Sequence, residues 1–177
     1  MSAETDIPAS FVQGDVLQAD EILRQTFDVV YTGLGAICWI DDLPAWSRVV
    51  SRLVRPGGLL YLAEFHPVTD MFAEDSTTVV APYFDGGRAF RDETPGSYAD
   101  PKAPTKHDLN FTWTHPIGSV VTCLIEAGLR LEHLHEHDFT LFPRFPFLEK
   151  EPDSDIHRVP PDRPRLPLMY SLRARRI

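Results

Sequence analysis

Residues 27–67 read FDVVYTGLGAICWIDDLPAWSRVVSRLVRPGGLLYLAEFHP, and the reading of this stretch decides the fold. Phe27, Val29, Val30 and Tyr31 are aromatic or β-branched and run almost without interruption, the composition of a strand covered on both faces. Leu43, Trp46, Val49, Val50, Leu53 and Val54 then recur every three or four positions, with Arg48, Ser51, Arg52 and Arg55 between them. That spacing predicts an amphipathic helix. Asp41 or Asp42 caps its start, and Pro44 lies in its first turn. The helix must stop at Pro56, and Gly57-Gly58 turns the chain into a second apolar strand over 59–65. Strand, crossover helix and strand of like character make a parallel βαβ unit, whose ligands gather at the carboxyl ends of the strands. The functional site is expected near residues 32–39 and 65–67.

The chain of 177 residues is long enough for one domain with a sizeable core. Lys plus Arg number 17 against 26 Asp plus Glu, a formal net charge of −9, which argues against nonspecific nucleic-acid binding because phosphates need clustered cations. Arg173, Arg175 and Arg176 form the only basic cluster and read as a solvated sheet end. Cys38 and Cys123 have no metal-ligand spacing and point to a reducing compartment. Nothing reads as a signal peptide or a membrane span, so a cytoplasmic location without membrane contact is expected.

Beyond Pro67 the chain divides into an insertion and a closing unit. Residues 68–114 are irregular, with a hairpin expected between 77–84 and 87–90 about Asp85-Gly86, and their number is too great for a plain connection. Residues 115–128 form a helix whose apolar face is Ile117, Val120, Val121, Leu124 and Ile125 and whose stop is Gly128. Residues 129–139 and 166–175 make an antiparallel strand pair across a proline-rich loop through 143–167. His133, His135 and His137 alternate and share one face, but no carboxylate or cysteine completes a metal shell, so no metal is assigned. Gly33 and Gly35 follow a strand yet lack the third glycine of a phosphate loop, and they serve either a close backbone approach or a turn. Trp46 belongs to the core stripe of its helix, whereas Trp39 and Trp113 are candidates for an apolar pocket. Glu64 at the end of its strand needs a partner that the sequence does not name.

Gly14-Asp15-Val16, FDVVYTGLGAICW and LVRPGGLLYLAEFHP together resemble the middle and later motifs of class I S-adenosylmethionine-dependent methyltransferases. WTHPIGSVVTCLIEAGLRLEHLHEHD and LPLMYSLRARR resemble the last helix and terminal strands of a bacterial small-molecule branch, so the likeness spans about residues 11–176. The resemblance implies an α/β fold: a Rossmann-like methyltransferase sheet, truncated at its N-terminus, with an antiparallel C-terminal strand pair. Residues 1–67 would be a partial cofactor-binding half, 68–114 a lid-like insertion and 115–177 the closing helix and strands of a single domain. It implies methyl transfer from S-adenosylmethionine to an oxygen or nitrogen of a small-molecule acceptor. Asp15 and Val16 match the adenine-contacting position, Thr32, Gly33, Leu34, Gly35 and Ile37 form the cofactor loop, and Trp39 and Trp113 line the acceptor pocket. His66, at the ligand-facing end of its strand, either deprotonates the acceptor or hydrogen-bonds the lid.

The departure is at the front. Only ten residues precede Phe11, and MSAETDIPAS holds neither glycine nor an apolar run, so the family's glycine-rich loop and acidic second strand have no counterpart. In the family sheet these strands separate the one expected over residues 10–15 from the one at 27–32. Their loss opens an apolar strand edge, and every backbone polar group there needs a partner or water. The isolated chain is expected to pair its first two strands directly, to self-associate as a homodimer through this edge, or to be marginally stable. The alternative to an enzyme is a non-catalytic remnant that serves as a binding or pairing module. The opening AETDIPASFV reads as a helix tail leading into a strand.

Overall fold

The computed structural model describes residues 8–97 and 102–177. Along the chain run α1 (Ala19–Leu23), β1 (Phe27–Gly33), α2 (Leu43–Leu53), β2 (Val54–Phe65), β3 (Phe90–Asp92), β4 (Asn110–Thr112) and α3 (Ile117–Glu126). They are followed by β5 (Leu129–His137), β6 (Phe139–Thr140), β7 (Glu149–Lys150), β8 (His157–Arg158) and β9 (Met169–Arg176). The main sheet has the order β1-β2-β9-β5: β1 and β2 are parallel, and β9 runs antiparallel to both β2 and β5.

The βαβ unit forms for the reasons its sequence gives. Asp42 caps α2 by accepting from the Ala45 amide at 2.8 Å, and Pro44 occupies the first turn, where its missing N–H costs nothing. The far end has a cation: Nη1 of Arg176 donates to the carbonyls of Val54 at 2.7 Å and Arg52 at 3.3 Å, next to the negative end of the helix. β2 follows with no intervening loop. The Gly57-Gly58 turn lies inside the strand's first half, with Gly57 at φ 77°, and the β1–β2 register slips there between Phe27 and Val29.

One face of the sheet carries the core. Leu60, Leu62, Leu172, Ala174 and Leu129 point to the same side as Val30 and pack against Trp46 and Val50 of α2 and Val120 and Leu124 of α3. Ile125, expected on that stripe, is 54% exposed, because α3 makes contact only through the narrower row of Ile117, Val120, Val121 and Leu124. On the opposite face Tyr31 stacks on Tyr61 at 6.1 Å, and Glu132 holds Arg173 at 2.9 Å and Arg175 at 2.6 Å. The terminal arginines are therefore paired rather than merely solvated. A second, smaller core of Phe145, Val159 and Leu168 organises the proline-rich loop, which also holds the three-stranded sheet β6-β8-β7.

Three expectations require correction. Residues 8–15 form no strand, and Phe11 is 82% exposed: a lone apolar segment without a neighbouring ladder leaves its backbone to water. Asp15 instead caps a 3-10 turn at Val16–Gln18, so among the described residues direct pairing of the first two strands does not occur and β1 has one free edge. The helix tail read in the opening lies mainly in residues 1–7, outside the described residues. The hairpin about Asp85-Gly86 is absent as well. Asp85 accepts from the Gly87 amide at 2.8 Å and makes a turn there, but β3 pairs with β4 across the insertion and Val79 bridges to Phe72.

Among the glycines of the βαβ unit, Gly58 is the one crowded by other backbone atoms. A Cβ there would meet the carbonyl oxygen of Asp28 at 2.9 Å and that of Arg55 at 3.0 Å, both backbone atoms with little freedom to retreat. Gly58→Ala is expected to cost about 1–3 kcal/mol, read as a lower urea midpoint at unchanged slope. An unchanged midpoint would show that this approach is looser than the structure has it.

Candidate functional site

The site is built where β1 ends. Leu34 and Gly35 both take left-handed backbone conformations, φ 48° and 80°, before the 3-10 turn Ile37–Trp39. Ala36 returns to the right-handed region at φ −87°, and the pair of opposite hand, Gly35–Ala36, aims successive amides in one direction and makes a concavity for an anion. The anion is internal. The Glu64 carboxylate, 3% exposed at the end of β2, accepts from Gly35 at 2.6 Å through Oε2, and from Ala36 at 2.7 Å and Ile37 at 3.1 Å through Oε1. This is the partner the sequence left unnamed. It lies 27 to 29 positions away, so only the βαβ crossover brings it near.

The other side of the same loop faces an open cleft of about 420 Å³ beside the free edge of β1. Its lining is Val16, Tyr31, Thr32, Gly33, Ala36, Trp39, Ile40 and Trp46. Val16, Thr32, Gly33 and Trp39, all expected in a site, meet here. Asp15 is exposed and spends a carboxylate oxygen on the Leu17 amide at 2.9 Å. Leu34 is 43% exposed off the wall, while the amides of Gly35 and Ile37 belong to Glu64. Trp113 is half-buried, and its amide donates to the Cys38 carbonyl at 2.8 Å, which ties the insertion to the residue beside Trp39. Ala36 falls within the expected span 32–39, whereas Tyr31, Ile40 and Trp46 were not foreseen in the lining. Tyr31 had a signal: strand alternation puts it opposite Val30, and its ring folds over Gly33, where a Cβ would stand 2.0 Å from its hydroxyl.

A second cluster lies behind the 3-10 turn. His66 is 5% exposed, its Nδ1 accepts from the Val68 amide at 3.1 Å, and its Nε2 therefore donates to Glu136 Oε1 at 2.8 Å. As placed, neither nitrogen is free to take a proton from an acceptor; the ring caps the first turn of the insertion and binds it to β5. Asp70 pairs with Arg144 through Oδ1 and accepts from Thr114 Oγ1 at 3.1 Å through Oδ2. Burial pushes the Cys38 thiol up to about 11, with Glu64 and Asp70 adding to the shift and Arg144 opposing it. Burial, with Glu64 nearby, also holds the Tyr170 phenol above its ordinary range. His133, His135 and His137 do share a face, with ring separations of 5.7 and 6.3 Å. Their partners are Arg173 for His133 and Ser171 for His137. Among the described residues no helix is long and apolar enough to cross a membrane.

No family model matches the sequence, and neither does any curated protein. Solved structures do match. A putative S-adenosylmethionine-dependent methyltransferase from Listeria monocytogenes superposes with a TM-score of 0.52 at 13% identity, over 86% of this chain and 62% of its own. One from Clostridium acetobutylicum reaches 0.58 at 8% identity, over 99% and 68%. The fold is that of S-adenosylmethionine-dependent methyltransferases. The glycopeptide N-methyltransferase MtfA, solved with S-adenosyl-L-methionine, gives 0.51 at 14% identity over 99% and 71%. The chain thus spans 62 to 71% of the length of these neighbours.

Whether the cleft suits that cofactor is decided by its donors. Its walls are mostly apolar and aromatic, and its volume falls in the range of small-molecule sites. The amino-acid end and the ribose diol need charged or multiply hydrogen-bonding partners. The lining offers no carboxylate or cation, and the nearest run of free-standing amides is already held by Glu64. The described residues do not hold the whole cofactor by themselves.

Cys38 provides a check on this environment. With its thiol held near 11 against an ordinary 9, alkylation by iodoacetamide in a Cys123→Ala background should rise with an inflection near pH 11. The folded state retains the proton that the unfolded chain loses, so this group's contribution falls as pH rises from about 9 to about 11. An inflection at the ordinary thiol value would mean that Cys38 is solvated.

Proposed function

We propose that this chain is the acceptor-side portion of an S-adenosylmethionine-dependent methyltransferase acting on an oxygen or nitrogen nucleophile of a small molecule. Its cofactor site is completed by strands that pair with the free edge of β1. The observation that carries this reading is a coincidence of position: the cleft with apolar walls and missing polar partners lies against β1, an edge strand of the main sheet whose outer ladder is unpaired among the described residues. Strands added there would bring backbone amides and an acidic residue to the open side, as the resemblance to the family implies.

Within that reading Val16, Thr32 and Gly33 face the adenine side, and Asp15 stands at the mouth. Leu34, Gly35 and Ile37 shape the loop from behind rather than touching the ligand. Trp39 and Trp113 mark the acceptor side, beneath the lid-like insertion that β3 and β4 stiffen. His66 acts by position, holding the insertion's first turn against β5. When bound, the cofactor supplies the transferable methyl group; the chain contributes alignment and exclusion of water. The nitrogen nucleophile named for MtfA is the kind of acceptor this arrangement serves. A second copy paired through β1 is the other source of cover for the edge. The non-catalytic reading, a binding or pairing module, has its own support in Glu64, which already fills the anion-binding turn.

Calorimetric titration with S-adenosylmethionine separates these readings. The chain alone should give no saturable heat, and addition in trans of a glycine-rich N-terminal half should restore micromolar binding, on which an acceptor screen follows. Micromolar binding by the monomeric chain alone would overturn completion by added strands. No binding after complementation, with β1 shown to be paired, would leave the binding module.

A further inference from the structure

We propose that Glu64 is the positioning residue of the cleft: by clasping the amides of Gly35, Ala36 and Ile37 from inside, it fixes the opposite side of the loop, with Ala36, Trp39 and Ile40, as a rigid wall. The inference rests on the cleft being the binding site, but its test does not. Three observations lead to it. Leu34 has a side chain and yet holds φ 48°, a conformation that is strained for an L-residue and persists only where its surroundings enforce it. What enforces it lies on both sides. The Leu34 amide donates to the Ala63 carbonyl at 2.7 Å, and the next three amides converge on one carboxylate. That carboxylate is buried, and among the described residues these three amides are its hydrogen-bond donors.

The clasp joins two strands that the ladder alone joins more loosely. β1 and β2 stay in register only to Gly33 and Ala63, and beyond them the loop has no sheet to follow. Ala36 is the hinge of the argument: its N–H faces Glu64 at 2.7 Å, while the same residue lines the cleft with Trp39 and Ile40. Without the carboxylate, one buried and two half-buried donors lose their acceptor, the strain at Leu34 is no longer held, and the wall is free to move. A carboxamide at this position cannot substitute, since one oxygen would have to serve three donors and its NH2 would face an N–H.

The test uses the whole chain labelled with 5-fluorotryptophan, whose three 19F resonances report Trp39, Trp46 and Trp113 separately. In Glu64→Gln the Trp39 resonance is expected to move most of the way toward its position in urea, while the resonance of Trp46, 1% exposed in the core, keeps its place. Gly58→Ala, destabilised at the opposite end of the β1–β2 pair, should leave both resonances unmoved. In the unsubstituted protein the amides of Gly35, Ala36 and Ile37 should exchange at least about 100-fold more slowly than in an unstructured chain, although they lie in a loop. That measurement stands even if Glu64→Gln does not fold. Unprotected amides would overturn the proposal, as would a folded Glu64→Gln protein that loses stability while Trp39 stays where it was. If the clasp is confirmed and S-adenosylmethionine still fails to bind the complemented chain, the loss falls on the proposed function and not on Glu64.

Discussion

The constraint on which the structure rests is that β2 must be satisfied along both edges and one face at once. Parallel bonds to β1 fill one edge and antiparallel bonds to β9 the other, while Leu60 and Leu62 are fully buried beneath α2 and α3. β9 spans residues 169–176, so the last strand in sequence is inserted between β2 and β5. The sheet's centre is therefore closed by the chain's end, and pairings of long sequence separation must form before the core is sealed. Arg176 completes this closure, since the same terminal strand that pairs with β5 also supplies the cation at the end of α2.

The two faces of the sheet differ, and the difference has a direction. The helix-covered face carries the apolar core. The other face grades from charge to apolar surface: Glu132 with Arg173 and Arg175, and the row of imidazoles, stand on β5 and β9, whereas Val29 at 57% exposed and Tyr31 at 59% stand on β1. The wet end needs no cover. The apolar end adjoins the free edge, so the unsatisfied ladder and the exposed aromatic surface occur on the same strand, where a single addition would answer both.

How much of this was legible from sequence follows from the range of the interactions. Helix α2, its Asp42 cap, the buried Trp46 and the parallel crossover all rest on periodicity and on residues within a turn of one another, and they appear as read. The strand expected over residues 10–15 failed because strand formation is settled by a partner, and apolar Phe11 and Val12 have none. Asp85-Gly86 has hairpin chemistry and makes its turn, but Phe90 found Thr112 across the insertion instead of its near neighbour. His66 was read with two roles, and the contact that bears on them, with Glu136, spans 70 residues and left no mark in the local sequence. Thr32, Gly33 and Trp39 were expected from their place after a strand and Val16 from the resemblance, and the four line one cleft, whereas the Glu64 clasp exists only in three dimensions.

The electrostatics of the site point the same way as its topology. Three carboxylates surround the end of β2, and each is spent inward: Glu64 on loop amides, Asp70 on Arg144 and Thr114, and Glu136 on His66. They stiffen the loop, the insertion and the strand ends against one another. None of them lines the cleft, so the wall they support is neutral and mostly apolar. Such a wall can sort ligands by shape and by stacking, but not by charge. Recognition of the charged parts of any ligand therefore has to come from the open side, and that side is the unpaired edge of β1.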